Sequence, residues 1–202
     1  MTPATLLERG LSELGLELPS GGRDRLLQYL ELLAKWNRTY NLTAVREPRA
    51  MVSHHLLDSL VVIPHLPMQD GALADVGSGA GVPGIPLAIA QPQWRVTLND
   101  ASEKKAAFLR QAVMELGLRN VAVHQGRVEA WRPAGGGFAV VISRAFAQLA
   151  RFIASCRHLA RPGGVLAAMT GAAPADSGGE VIALSVPLLN AARHLVLYHV
   201  EG

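Results

Sequence analysis

The chemical signal of this chain is concentrated in the segment Asp75-Val76-Gly77-Ser78-Gly79-Ala80-Gly81-Val82-Pro83-Gly84. It follows the apolar stretch beginning at Leu73 and precedes another, Ile85–Ala90. A strand, a glycine loop and a helix in that order let bare backbone approach a ligand closely. Glycine spacing alone does not name the ligand, because tight turns need glycine anyway.

Two registers compete within the loop. Gly79-x-Gly81-x-x-Gly84 satisfies the dinucleotide fingerprint, and Asp75-x-Gly77-x-Gly79-x-Gly81 satisfies the loop of S-adenosylmethionine-dependent methyltransferases. Electrostatics favours the second. A carboxylate at Asp75, at the mouth of the loop, repels a pyrophosphate but suits a ligand carrying an ammonium and a sulfonium. Gly77 also follows the strand directly, whereas the register starting at Gly79 begins too late. Asp100 lies about twenty residues further on, directly after the alternating stretch Trp94–Asn99, where an acidic side chain can take the ribose hydroxyls of an adenosine. It can equally begin the turn that leads into the next helix, where Ser102 is placed as a cap.

These residues need a scaffold, and the composition supports one. The 202 residues are 50% hydrophobic and 17% charged, which excludes a disordered chain and suffices for one domain with a sizeable core. The longest apolar candidate, Leu56–Ile63, contains Asp58 and Ser59 and falls short of the roughly 18 residues of a membrane span. Glu8 and Glu13 stand where a signal peptide needs a basic start and an unbroken apolar run. Cys156 is the only cysteine, so an intrachain disulfide and a cysteine-built zinc site are excluded. No metal and no membrane are expected, and the location expected is cytoplasmic.

Periodicity divides the chain near residue 70. Before it, the spacing is helical: Leu6, Leu7, Leu11 and Leu14 form a first helix stopping near Gly15, and Leu26, Leu27, Leu30, Leu33 and Trp36 stripe a second over about 23–38. A third is predicted over 48–63. After Gly71, strands at 73–76, 94–99, 121–125, 138–143 and 165–169 alternate with helices at 85–90, 103–116 and 148–159. Arg161-Pro162-Gly163-Gly164 reads as a turn and Gly171–Gly179 as a loop. Segments 182–186 and 194–200 read as a closing antiparallel pair. The expected fold is α/β, with a mainly parallel sheet covered on both faces behind a helical extension.

The net charge of +3 is unevenly placed. Between Ser20 and His55 the bases Arg23, Arg25, Lys35, Arg38, Arg46 and Arg49 face only Asp24, Glu31 and Glu47, and His54 and His55 add titratable groups. Such a surplus is ordinarily a solvated helix face, but in an otherwise neutral chain it also points to a polyanionic partner.

Further strings give the chain a family resemblance. Trp36-Asn37-x-x-Tyr40-Asn41-Leu42-Thr43, His55-x-Leu57-Asp58-Ser59 and the glycine loop with Ile85-Pro86 come in order. Phe108-Leu109-Arg110, Arg127-Val128-Glu129, Ile142-Ser143-Arg144-Ala145-Phe146-Ala147 and Arg193-His194-Leu195 follow. Over about residues 25–200 the chain resembles the bacterial small-subunit rRNA guanine-N7 methyltransferases, also called glucose-inhibited division protein B.

The resemblance implies a Rossmann-like methyltransferase domain over 71–202, a helical extension over 1–70 packed on it, S-adenosylmethionine as cofactor, and 16S rRNA or the small ribosomal subunit as partner, with no obligatory protein partner. It implies that Asp75, Gly77, Gly79, Gly81 and Val82 form the cofactor loop, that Asp100 holds the ribose, and that Val128 and Glu129 lie beside the adenine. Arg144 then lies near the methyl group or the RNA as the positioning residue of catalysis. Its ordinary alternative is an ion pair with a carboxylate such as Glu129. Arg46, Arg49, His54 and His55 are the candidate RNA contacts. His54 stands where the family usually has arginine, and Thr170 where it usually has lysine. Guanine N7 is an unprotonated lone pair, so its methylation asks for alignment rather than a general base. Two other readings remain open at this point: a small-molecule methyltransferase, and a methyltransferase-fold RNA binder without turnover.

Overall fold

A computed structural model describes residues 1–67, 71–144, 148–174 and 177–201. Helix α1 (Pro3–Leu14) starts on Thr2, whose side chain accepts from the Thr5 amide, and stops at Gly15 in the left-handed region. Helix α2 (Gly22–Tyr40) buries Leu26, Leu30 and Leu33 as its stripe requires, together with Tyr29 and Leu32.

The third predicted helix is not continuous. It comprises α3 (Pro48–Met51), a π-helical stretch over Val52–Leu57, and α4 (Asp58–Leu60). Wider π turns splay backbone carbonyls away from the axis, and side chains collect them here. Ala50 O accepts from Ser53 Oγ, His54 O from Arg144 Nη1 and His55 O from Ser59 Oγ.

The rest is a seven-stranded sheet in the order β3-β2-β1-β4-β5-β7-β6. Its strands are β1 (Gly71–Val76), β2 (Trp94–Asp100), β3 (Val121–Gln125), β4 (Phe138–Ser143), β5 (Ala160–Thr170), β6 (Glu180–Leu184) and β7 (Arg193–His199). The first five pair in parallel, and β7 runs antiparallel between β5 and β6. Helices α5 (Gly84–Ala90), α6 (Glu103–Glu115) and α7 (Leu149–Cys156) complete the layers. The turn predicted at Arg161–Gly164 lies instead inside β5. Phe138 pairs with Ala160 and Val140 with Val165, so β5 has extra residues looped out against β4. Gly163 takes a positive φ there, and its amide donates to Val200 O.

One core runs from Leu7 on α1 through Tyr29 and Leu33 on α2 and Leu56 to Leu73, Val96, Val140 and Leu195 of the sheet. The opposite sheet face packs Val76, Val141 and Leu166 on Phe152 and Cys156 of α7. Ala145, Phe146 and Ala147 of the motif around Arg144, and residues 175–176 of the predicted 171–179 loop, lie outside the described residues.

Candidate active site at the sheet switch point

The chain leaves β1 toward β2 and β3, then crosses back to lay β4 on the other side of β1. Open α/β sheets hold ligands outside the strand ends at such a reversal. The glycine loop after β1 and Arg144 after β4 flank this crevice, and Ser143 Oγ donates to Val76 O at 2.7 Å between them.

Gly77, Gly79 and Gly81 adopt φ of 70°, 58° and 89°, a region that disfavours side chains. The loop is pinned from several sides. Ser78 N donates to Asn99 O at 2.9 Å, and Ser78 Oγ to Asp75 O at 2.8 Å. Tyr29 on α2 donates its hydroxyl to Ala80 O at 2.6 Å. Asp100 does two jobs: Oδ2 accepts from Gly79 N at 3.0 Å and Oδ1 from Ser102 N at 2.8 Å. The latter replaces the cap expected of Ser102, whose side chain makes no capping bond. Each carboxylate oxygen retains a further acceptor position, and Lys105 Nζ stands 3.9 Å away.

Asp75 does not stand at the mouth of the loop. It is fully buried beneath it, with Oδ2 accepting from Gly84 N at 2.9 Å, and Oδ1 has no partner among the described residues. Burial pushes its carboxyl up from 3.8 to about 7, and the Gly84 amide and the Arg144 guanidinium pull in the other direction. A side chain at Gly84 would meet Asp75 Oδ2 at 2.7 Å, so the strand and helix approach this closely only with glycine there.

A cavity of about 200 Å³ opens above the loop, lined by Gly77, Ser78, Gly79, Ala80 and Val82, with Leu42, Thr43, Lys105 and Arg144 around it. Gly81, Asp75, Asp100, Val128 and Glu129 are not on its lining, and Asp100 adjoins it through its bond to Gly79 N. Gly81 instead packs on Ile85 and Leu109. Val128 and Glu129 form a short turn after β3, at the same edge of the sheet, where Arg127 pairs with Glu129 at 3.7 Å. The residues present fit an adenosine cofactor: bare glycine backbone forms the floor, and Asp100 beside Gly79 keeps acceptor positions for ribose hydroxyls. Among the described residues, the charged side chains on the lining itself are Lys105 and Arg144.

A second cavity, of about 380 Å³, adjoins the first and shares Arg144 and Thr43 with it. Its basic wall is tied to one acid. Asp58, 1% exposed, takes Arg144 Nη1 at 2.8 Å on Oδ2 and Arg193 Nε at 2.9 Å on Oδ1. The carboxylate paired with Arg144 is therefore Asp58, not Glu129. A buried charge inside the apolar run 56–63 was the available signal for such a partner; nothing in the spacing indicated Arg193.

His55 is buried, with 3% exposure, and lies on the lining of this second cavity. Its Nε2 lies 3.0 Å from Thr43 Oγ1, and the Thr43 amide donates to Asn37 Oδ1 at 2.9 Å. Burial, then the Arg144 guanidinium, lower its value from 6.5 to about 4, so the ring is neutral at pH 7. His54 is half-buried on the cavity wall, and Arg46 and Arg49 are exposed beside it in sequence. No group of three or more metal-ligating side chains occurs among the described residues. Nor is any described helix long and apolar enough to cross a membrane.

The fold and its loop define an S-adenosylmethionine-dependent methyltransferase. An Aquifex aeolicus S-adenosylmethionine-dependent methyltransferase shares the fold over 83% of this chain and 98% of its own, with a TM-score of 0.58 at 15% identity. A protein from Agrobacterium tumefaciens described as a predicted O-methyltransferase does so over 71% and 78%, with a TM-score of 0.53 at 23% identity. Within that class, residues 23–181 match the family model described as GidB, rRNA small subunit methyltransferase G, and the chain belongs to that family. Ribosomal RNA small subunit methyltransferase G of Burkholderia thailandensis is 49% identical over 96% of this chain and 90% of its own. The Burkholderia mallei protein of that name is also 49% identical, over 96% and 91%.

Proposed function

We propose that this chain transfers the methyl group of S-adenosylmethionine to N7 of a guanine in 16S rRNA, in the cytoplasm. The observation that carries this reading is Arg144, which lines both the cavity over the glycine loop and the basic cavity beside it. An acceptor nucleotide gripped at the second cavity meets a methyl donor held in the first, with one guanidinium on the boundary.

Bound S-adenosylmethionine supplies an electrophilic methyl on a sulfonium. Every other requirement falls on the chain. Asp100 accepts the ribose hydroxyls, Gly77, Gly79 and Val82 shape the floor, and the Val128–Glu129 turn flanks the adenine. Arg144 is held by Asp58 and the His54 carbonyl, which fixes it for orienting the acceptor nucleotide. Guanine N7 brings its own lone pair, so the chain need only align nucleophile and methyl, and alignment alone can supply several kcal/mol.

The test is transfer of labelled methyl from S-adenosylmethionine to 16S rRNA and to small subunits, beside a panel of small acceptors. Label on one guanine, with strand scission specific to N7-methylguanine, is the expected result. Label on a small acceptor alone, or binding of RNA without transfer, overturns the reading.

A further inference from the structure

The His55-x-x-Asp58 string and the Arg193 string lie more than a hundred residues apart in the chain, yet they meet at Arg144 in the wall of the larger cavity. Asp58 is deeply buried, and the two arginines it holds are each about one-quarter exposed. The donors already committed are few. Arg144 Nη1 serves both His54 O and Asp58, Arg193 Nε serves Asp58, and Arg193 Nη1 serves Ala192 O. Arg144 Nε and Arg193 Nη2 make no hydrogen bond among the described residues, and Arg144 Nη2 has only the 3.5 Å contact with His55 Nδ1. His55 is neutral and adds no charge. One carboxylate against two guanidiniums leaves this wall with a single surplus positive charge and planar donors still to satisfy, a match for one phosphodiester oxygen pair.

We propose that Asp58 is a positioning residue that holds Arg144 and Arg193 as a two-pronged grip on a backbone phosphate of the acceptor RNA. The proposal rests on the reading of the site as an RNA methyltransferase and adds which chemical group the second cavity takes. A phosphate suits the pair better than the edge of the target guanine. An arginine fork on O6 and N7 is the usual guanine contact, but N7 must turn its lone pair to the methyl group, so a fork there would cover the nucleophile.

The sign of one charge change separates this role from a merely electrostatic one. Asp58→Asn makes the wall one unit more positive. Were the arginines acting as unpositioned charge, RNA would bind more tightly and the salt slope of its affinity would steepen. For a positioned grip, the KM for RNA rises several-fold despite the added positive charge. Arg193→Gln is expected to raise KM similarly and to lower the salt slope by about one. The double variant is expected to be no worse than Asp58→Asn alone, because the acid acts through the arginines.

The measurements are KM and kcat for methyl transfer to 16S rRNA, the salt slope of RNA affinity, calorimetric affinity for the demethylated cofactor, and the melting temperature. Cofactor affinity is expected to stay within twofold. Unchanged or lowered KM in Asp58→Asn, or KM and cofactor affinity failing together, overturns the proposal. Absence of transfer by the unaltered chain would instead overturn the functional reading beneath it. If Asp58→Asn does not fold, Arg193→Gln and Arg193→Lys decide. Lysine keeps the charge but offers a point donor, so it is expected to restore the salt slope without restoring KM; full rescue by lysine overturns the positioned grip.

Discussion

Asp75 and His55 are buried groups whose burial acts on stability with opposite sign. Asp75 holds its proton more tightly folded than unfolded, about 7 against 3.8. Its contribution to stability is therefore full below about pH 4 and is lost as pH rises through 7. His55 falls from 6.5 to about 4, so its contribution is full above 6.5 and is lost as pH drops through 4. Over pH 4–7 the two slopes oppose one another. Asp75→Asn removes the falling one, so this variant is expected to gain on the unaltered protein as pH rises, by about 3–4 kcal/mol across the window. Thermal melts at matched pH values check it; a difference independent of pH would show that Asp75 titrates as it does in the unfolded chain. Asp100 allows a second test, because it accepts two backbone amides besides its proposed ribose contacts. Asp100→Ala is expected to lower the melting temperature and to weaken cofactor binding by about 1.5–3 kcal/mol, the range for bonds to a charged acceptor. A lowered melting temperature with cofactor affinity intact would leave Asp100 only its loop-ordering role.

Between elements, the tie that matters most for the site runs from α2 to the glycine loop. Tyr29 is fully buried and donates to Ala80 O. Tyr29→Phe keeps the ring and leaves that carbonyl buried without its donor, at a cost of about 1–3 kcal/mol. The loop then loses its support from the helical side, so cofactor affinity is expected to fall with stability; calorimetric titration beside denaturant unfolding tests both. Tyr29 also shows where the sequence ceased to be legible. Its neighbours Leu26, Leu30 and Leu33 announce a buried stripe by spacing, but a hydroxyl's partner 51 residues away leaves no periodic trace. The strands of the parallel sheet were legible because runs such as Phe138–Ser143 are buried on both faces and read as continuous apolar stretches. The π turns over 52–57 were not, because a one-residue widening of the turn has no signature in residue type and declares itself only through tertiary acceptors such as His54 O. At Arg161–Gly164 the Pro-Gly-Gly signal for chain reversal was genuine backbone information, but neighbouring β4 and β7 absorbed it as a bulge within a strand. At the candidate site, the strand–glycine loop–helix order and the turn begun by Asp100 were legible because they are local. The union of Asp58, Arg144 and Arg193 depends on strand order, which no local pattern encodes.

At the scale of the whole molecule, a single apolar core passes from α1 and α2 into the sheet. We propose accordingly that the extension over 1–70 and the sheet domain over 71–202 fold as one unit, with the extension also forming the RNA-facing side. Within that extension the positive surplus is confined to residues 20–55, where six bases stand against three acids. Val45 and His54 line the larger cavity, and the exposed Arg46 and Arg49 come between them in the chain. Arg46 is lightly held, with Nη2 donating to Asn41 Oδ1 at 3.1 Å on the surface, so its guanidinium can turn to a phosphate at little cost. Long-range attraction to a polyanion is set by such mobile surface charges. Each phosphate neutralised adds roughly one unit to the salt slope. Arg46→Gln with Arg49→Gln is therefore expected to weaken RNA binding, to flatten its salt dependence by about two units, and to leave both cofactor affinity and the melting temperature in place. The contrast with Arg193→Gln is diagnostic. Surface charges act on encounter and affinity for any RNA, whereas a positioned arginine acts on the productive complex with the acceptor strand. If the paired change at Arg46 and Arg49 moves neither affinity nor slope, the extension serves the sheet as a structural cover and the RNA approaches from the β5 side of the cavity, past Thr170 and Gly171.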